Sequence, residues 1–167
     1  SHEVLTTHHL HPDDAFHQDG IYSIQQAFKK NEAYLEKSNS FGINLLNVYQ
    51  LRVTPFYEIV RKKIPSNMFV TLVELKKDNS SLRGVYSYHH NKLEDATTMV
   101  NVKDGSYCLQ TIHDQNKVSS LVGLPVFRTK NLSKFGFDTS EISIQKRWLG
   151  QLYQRTLNSR MGRILKH

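Results

Sequence analysis

Metal-ligating side chains are concentrated near the start of the chain. His9, His11 and Asp13 stand at alternate positions, a spacing that a zinc site can use. A zinc-hydrolase site of this pattern would need a histidine at the next position, where the chain has Asp14. It would also need a rigid strand to hold its ligands at about 2.0–2.2 Å from the metal. No apolar strand pattern precedes the segment, so the sequence predicts a solvated tail and no catalytic metal site.

Other catalytic patterns are missing from the sequence. The chain contains no Gly-x-Ser-x-Gly nucleophile motif and no Gly-x-Gly-x-x-Gly phosphate loop, and its eight glycines are scattered. His89 and His90 are adjacent, which is more typical of a strand end than of a ligand pair. The sequence therefore predicts no catalytic residue and no cofactor, and it favours a binding module over an enzyme.

The positive charge of the chain lies in its last third. The 167 residues carry a formal net charge of +7, and ten of the 22 Lys and Arg residues follow Asp114, with only two of the 15 acids. This imbalance predicts an acidic partner, which could be nucleic acid, an anionic membrane surface or an acidic protein. One basic set surrounds a predicted hairpin turn and consists of Lys76, Lys77 and Arg83. The other lies on the predicted C-terminal helix and consists of Lys146, Arg147, Arg155, Arg163 and Lys166.

Composition is that of a globular domain. Hydrophobic residues make up 38% of the chain and charged residues 22%. No stretch approaches the roughly 20 apolar residues of a membrane span, and no signal peptide pattern is present. Cys108 is the single cysteine, which favours a cytoplasmic location, and we expect it to be a small buried apolar residue. A cytoplasmic location is compatible with peripheral association of the protein with a membrane.

Hydrophobic periodicity predicts helices first and strands later. Apolar residues at helical spacing run from Ile21 to Leu35, and Thr54-Pro55 predicts the start of another helix. From Met68 the pattern becomes typical of strands, with a predicted hairpin of residues 68–75 and 82–89. Two further strands, 97–102 and 106–112, flank an Asp104-Gly105 turn.

The chain ends in a predicted amphipathic helix. It begins at about Ser140 and carries Trp148, and its aliphatic stripe, which includes Leu149 and Leu152, is expected to face inward. Helices segregated from an antiparallel sheet indicate the α+β class.

The stretch from Val126 to Leu152 resembles the end of a pleckstrin-homology (PH) domain. In that family the last strand leads into one helix, whose tryptophan plugs the end of an antiparallel β-barrel, and Trp148 lies ten residues after Asp138. The resemblance implies a PH-like barrel capped by the C-terminal helix. It also implies a lipid-headgroup pocket formed by Lys76, Lys77 and Arg83, although Ser81 stands where the family has a further basic residue.

A second resemblance is to the microtubule-binding CKK domain. It depends on two short pieces, Leu82-Arg83-Gly84-Val85-Tyr86 and Thr129-Lys130-Asn131-Leu132-Ser133. That family also places helices before a sheet and binds acidic tubulin tails, but its Gly-Pro turn is missing here. This resemblance implies a cytoskeletal module.

These observations together give one leading interpretation. We expect a flexible His-rich tail over residues 1–20, a helical extension over 21–66 and a PH-like barrel with its C-terminal helix over 67–167. The module would bind anionic lipid headgroups weakly, a protein partner, or both, and the second basic set is the candidate surface for an acidic partner. The alternatives are a purely protein-binding or cytoskeletal module and, third, a nucleic-acid-binding subunit, which the inward-facing aromatic residues disfavour.

Overall fold

The computed structural model describes most of the first two thirds of the chain. The described residues are 3–8, 10, 14–52, 58–65, 68–76, 82–89, 92–112, 121, 123–126, 132–137, 149 and 152. They form two compact units, of which the first comprises Ser1–Val48 with Lys63–Cys108 and the second Tyr49–Lys62 with Leu109–His167. None of the described helices is long and apolar enough to span a membrane.

Nine strands and three α-helices are described. The strands are β1 (Glu3–His8), β2 (Ala15–Phe16), β3 (Ser40–Leu45), β4 (Asn47–Arg52), β5 (Glu58–Lys63), β6 (Val70–Lys76), β7 (Thr98–Val102), β8 (Cys108–Ile112) and β9 (Leu124–Pro125). The helices are α1 (Gly20–Asn31), α2 (Ala33–Ser38) and α3 (Leu93–Ala96), and short 3-10 helices cover Val85–Ser87 and Ser133–Phe135.

The first unit is built on a four-stranded sheet in the order β1-β6-β3-β7. Strand β6 pairs antiparallel with both β1 and β3, while β3 and β7 pair in parallel. Buried apolar residues of β3 and β6 pack with α1 and α2 around Phe41, which stacks on Phe28 with ring centroids 6.3 Å apart. The inward face of α1, with Ile24 and Ala27, completes this core.

The second unit contains part of a second sheet. Strands β8, β4, β5 and β9 are neighbours there in that order, and Val60 of β5 pairs with Pro125 of β9. Among its described residues, Val60, Ile112 and Leu121 form one buried apolar cluster. Two described polar side chains of this sheet, Gln50 and Glu58, are also buried.

The α+β class is confirmed, but the chain does not form the predicted closed barrel. The predicted helix after Thr54-Pro55 is wrong at its described residues, since Glu58–Lys63 forms strand β5. Strand β1 lies in the segment predicted as a tail, and three strands lie in the segment predicted as a helical extension. The domain boundaries themselves stay a prediction.

The predicted hairpin of residues 68–75 and 82–89 is wrong. Strand β6 forms as expected, but its two edges are occupied by β1 and β3, so no edge remains for residues 82–89. Backbone N–H groups of residues 83 and 84 instead donate to the Glu74 carboxylate, at 3.2 and 2.8 Å, and that of Val85 donates to the Thr7 hydroxyl at 2.8 Å. Gly84 has φ of 69°, which takes the chain out of the extended conformation.

We expect Glu74→Ala to destabilise the protein by about 1–3 kcal/mol, because it leaves two backbone donors of the 82–84 segment without their acceptor. Glu74 is only 8% exposed, so water replaces its carboxylate poorly. Urea unfolding measures the change, with Glu36→Ala, at an exposed position of α2, as the matched control. Equal losses in the two variants would contradict the role of Glu74.

Candidate active site at the carboxyl edge of the first sheet

Three strands of the first sheet end at the same edge. Because β1 and β3 both run antiparallel to β6, they run parallel to each other, and β7 runs parallel to β3. The carboxyl ends of β1, β3 and β7 therefore meet at one edge, which we call the carboxyl edge. In open sheets with parallel strands, ligands bind outside this edge, where the loops leave the strands. The segment that follows β1 and the segment that follows β7 are thus the candidate site.

His8 is the last residue of β1. Its Nδ1 lies 2.7 Å from the Thr71 hydroxyl oxygen, and its ring contacts Phe16 edge-on, with centroids 6.5 Å apart. The side chain is partly buried, and this burial lowers the pKa of His8 below its ordinary value. Burial therefore favours the neutral form of His8, in which Nδ1 can either donate to the Thr71 hydroxyl or accept from it.

The segment after β1 is attached to the segment after β7 by His17. Its backbone N–H donates to the Tyr107 carbonyl at 2.7 Å, and the two rings pack edge to face with centroids 5.7 Å apart. The Asp19 backbone N–H donates to Nδ1 of His17 at 3.0 Å, which places the ring proton of neutral His17 on Nε2. Gly20 begins α1 against Tyr107, where an added Cβ would lie 3.3 Å from the Tyr107 carbonyl oxygen.

Asp14 is the described carboxylate closest in sequence to the end of β1. Burial raises the pKa of the Cys108 thiol well above its ordinary value, and the negative charge of Asp14 raises it further. Cys108 is fully buried, as the sequence predicted, and follows Tyr107 in the chain. The carboxylate of Asp14, in the segment after β1, therefore acts electrostatically on the residue that follows Tyr107.

A groove of about 620 Å³ lies between α1 and the end of β7. Its lining on α1 consists of Tyr22, Ser23, Gln26, Ala27, Lys30 and Asn31. On β7 and the following segment it consists of Val100, Asn101, Val102, Lys103, Asp104 and Tyr107. Its volume is that of a small-molecule site, and its surface is mostly polar with two aromatic rings.

Hydrogen bonds hold the backbone of the segment after β7, which forms one wall of the groove. The side-chain amide of Asn47 donates to the carbonyls of Lys103, at 2.6 Å, and Gly105, at 2.9 Å. Gly105 has φ of 73°, and a Cβ there would lie 2.6 Å from the Tyr107 ring. The Asp104-Gly105 turn predicted from sequence therefore places Lys103 and Tyr107 on the groove with little freedom to move.

The first predicted basic set does not converge on the carboxyl edge. The ammonium of Lys76 lies 2.7 Å from the Glu3 carboxylate, which it holds at a pKa below the ordinary value. The guanidinium of Arg83 donates to the Tyr88 hydroxyl at 3.1 Å. Lys77 lies outside the described residues. Lipid contact by these three residues stays a prediction.

The second predicted set lies outside the described residues. This applies to Lys146, Arg147, Arg155, Arg163 and Lys166, and to Trp148. Leu149 and Leu152 are helical but about half exposed, at 50% and 55%, so the inward orientation predicted for them is wrong. The acidic-partner surface stays a prediction.

Three of the histidines and acids considered for zinc, His9, His11 and Asp13, also lie outside the described residues. Within the described part of the chain, no group of three His, Cys, Asp or Glu side chains could hold a metal ion. One premise of the sequence analysis is wrong, because a strand does precede the segment. Strand β1 shows little apolar periodicity, since it is an edge strand and residues 3–6 are exposed.

A family comparison identifies the family to which the chain belongs. The model of the family described as "Putative rhamnosyl transferase" matches residues 1–123, which include the carboxyl edge and the groove. The chain therefore belongs to this family. No curated protein and no solved structure matches the chain.

Family membership corrects the sequence interpretation. The PH resemblance is wrong, because the matching family is the one described as "Putative rhamnosyl transferase" and it covers residues 1–123 rather than the C-terminal region. The lipid-binding recruitment module and the classification as a non-enzyme are wrong for the same reason. The CKK resemblance is likewise not the family to which the chain belongs.

Sequence reasoning missed most of the residues at the carboxyl edge. No sequence motif marks Lys30, Lys103 or Tyr107. They line the same groove only because α1 packs against β7. One signal was available, since Asp14 follows a segment rich in ligand-type residues. It was interpreted only as a metal pattern, because the strand before it was not recognised.

Proposed function

We propose that the protein transfers a rhamnosyl group from a nucleoside diphosphate donor to an acceptor hydroxyl at the carboxyl edge of the first sheet. The observation that carries this proposal is the attachment of the segment after β1, through His17, to Tyr107, which lines the groove at the edge where such sheets bind ligands. Membership of the rhamnosyl transferase family supports the reaction class.

The transfer replaces one bond to the anomeric carbon by another. The acceptor oxygen forms a bond to that carbon, the bond from the carbon to the diphosphate oxygen breaks, and the nucleoside diphosphate leaves with the electron pair. The proton of the acceptor hydroxyl must go to a base, and we assign this role to the Asp14 carboxylate. It belongs to the segment that His17 attaches to Tyr107, and its charge acts on the neighbouring Cys108 thiol.

A donor assay tests the proposed function. We expect the protein to release nucleoside diphosphate from at least one of three donors, rhamnose linked to uridine, thymidine or guanosine diphosphate, when a mixture of saccharide acceptors is present. Mass spectrometry should then show an acceptor enlarged by one rhamnosyl unit. The matched controls are the same nucleotides linked to glucose or mannose. Failure of all three rhamnose donors, or equal turnover of the control donors, would overturn the assignment.

A further inference from the structure

The groove between α1 and β7 is elongated along the helix. Its helical lining runs from Tyr22 to Asn31 at spacings of one, three and four residues, so it covers one face of α1. At a rise of 1.5 Å per residue, this face is about 14 Å long. A groove of that length suits an extended ligand with more than one ring.

The charge of the groove suits a ligand with few negative charges. Lys30 comes from α1 and Lys103 from the segment after β7, so two ammonium groups face the groove from two walls. Asp104 lines it as well, which leaves a formal charge of +1 on the lining. A nucleoside diphosphate carries several negative charges. The two lysines would balance them only in part, and the Asp104 carboxylate would repel them. A single carboxylate or phosphate group on an otherwise neutral ligand fits this balance better.

The remaining lining suits a saccharide. Tyr22 is 61% exposed, so its ring is available to cover the apolar face of a sugar ring. The amides of Gln26 and Asn101 offer both donors and acceptors to hydroxyl groups. Asn101 is held in place, since its side-chain oxygen accepts a hydrogen bond of 2.8 Å from the buried Asn44 amide.

We propose that this groove is the acceptor subsite and that the acceptor is an anionic saccharide of more than one sugar unit. The proposal rests on the rhamnosyl transfer proposed above. The saccharide lies along α1, with its negative group between Lys30 and Lys103 and a sugar ring against Tyr22. This position brings an acceptor hydroxyl to the Tyr107 end of the groove, where His17 attaches the segment that contains Asp14.

Binding of three matched disaccharides tests the acceptor class. The probes are cellobiose, cellobiuronic acid, in which one sugar carries a carboxylate, and cellobiose 6′-phosphate, titrated by NMR without any donor. We expect both anionic probes to bind about tenfold or more tightly than cellobiose. Comparison of the two anionic probes identifies which negative group the site takes. Equal affinity for all three probes, or no binding of either anionic probe, would overturn the proposal.

Variants on α1 provide the control. We expect Lys30→Ala and Lys103→Ala each to reduce affinity for the anionic probes about tenfold and to leave affinity for cellobiose unchanged. Lys29→Ala removes the neighbouring exposed lysine, which does not line the groove, and should change neither. Tyr22→Ala should weaken all three probes alike. If Lys29→Ala weakens the anionic probes as much as Lys30→Ala, the groove is not the site.

Binding and transfer can fail independently. Because the titration contains no donor, the groove can bind anionic disaccharides even if the donor assay fails. Conversely, if rhamnosyl transfer occurs but its rate is unaffected by Lys30→Ala, Lys103→Ala and Tyr22→Ala, the proposed function stands and this acceptor subsite is wrong.

Discussion

Asp14→Asn should lower the rate of rhamnosyl transfer by about 10²–10⁴-fold, because the variant keeps the shape of the side chain but removes the base that takes the acceptor proton. The loss should appear in kcat, since the proton is transferred only as the new bond forms. Single-turnover measurements with an active rhamnose donor would separate this step from product release. The carboxamide of asparagine has nearly the size and shape of the carboxylate that it replaces, so we expect the variant to remain folded.

Asp19→Asn is the matched control for this prediction. Asp19 belongs to the same segment and contacts Nδ1 of His17 at 3.5 Å, but its side chain is 53% exposed. The change should leave kcat within about twofold of the parent protein, since asparagine keeps the shape of this largely exposed side chain and the backbone hydrogen bond from His17 to Tyr107 is retained. An Asp14→Asn variant with the parent kcat would exclude Asp14 as the base. A comparable loss in both variants would show that the segment matters only as a whole.

The sequence was most informative where structure depends on local patterns. Helical spacing from Ile21 to Leu35 predicted the region of α1 and α2, and the apolar run from Met68 predicted β6. Strands β7 and β8 on either side of Asp104-Gly105 were also predicted, and Gly105 has the positive φ of a turn, but β8 does not return beside β7 because the two strands belong to different sheets. These features are decided by residues close together in the chain.

Pairing between distant segments could not be predicted in the same way. Strand β1 pairs Thr6 with Val73, and its exposed residues give no apolar signal. The edge that β1 occupies is the one required by the predicted hairpin, so one missed strand also changed the interpretation of residues 82–89. The candidate site also depends on contacts between distant segments, because His17 and Tyr107 are far apart in sequence and meet through a backbone hydrogen bond.

The helix predicted after Thr54-Pro55 is wrong because its apolar residues fit a strand equally well. Ile59 and Val60 are typical of either a helix or a strand, and only pairing with neighbouring strands selects the strand. Glu58 lies at the start of β5 with 1% of its surface exposed, and its carboxylate oxygen lies 3.1 Å from the Arg52 guanidinium of β4. A charge buried in this way is tolerated only with its partner, so the pair holds β4 and β5 together.

Arg52→Met should therefore destabilise the protein by about 3–5 kcal/mol at neutral pH, because it leaves the Glu58 carboxylate buried without a compensating charge. The double variant Arg52→Met with Glu58→Met should recover most of this loss, since a buried ion pair is often no more stable than apolar side chains of similar size. Glu36→Met, at an exposed site on α2, controls for the introduction of methionine. Urea unfolding measures all three variants.

The pH dependence gives this prediction a second, independent readout. Burial raises the pKa of Glu58 above its ordinary value, and the Arg52 charge opposes that rise. A group with a raised pKa in the folded state binds its proton more tightly there than in the unfolded chain. Its contribution to stability is therefore full below the unfolded pKa and is lost as pH rises through the folded pKa.

Without the positive charge of Arg52, the pKa of Glu58 should rise further. The loss of stability between about pH 4 and about pH 8 should therefore be larger in Arg52→Met than in the parent protein. Glu58→Gln removes the titrating group and should flatten this part of the pH profile. If Arg52→Met shows the same midpoint as the parent protein at both pH values, the pair does not hold the two strands together. If Arg52→Met is destabilised equally at both, the loss comes from packing of the arginine side chain and not from the uncompensated charge of Glu58.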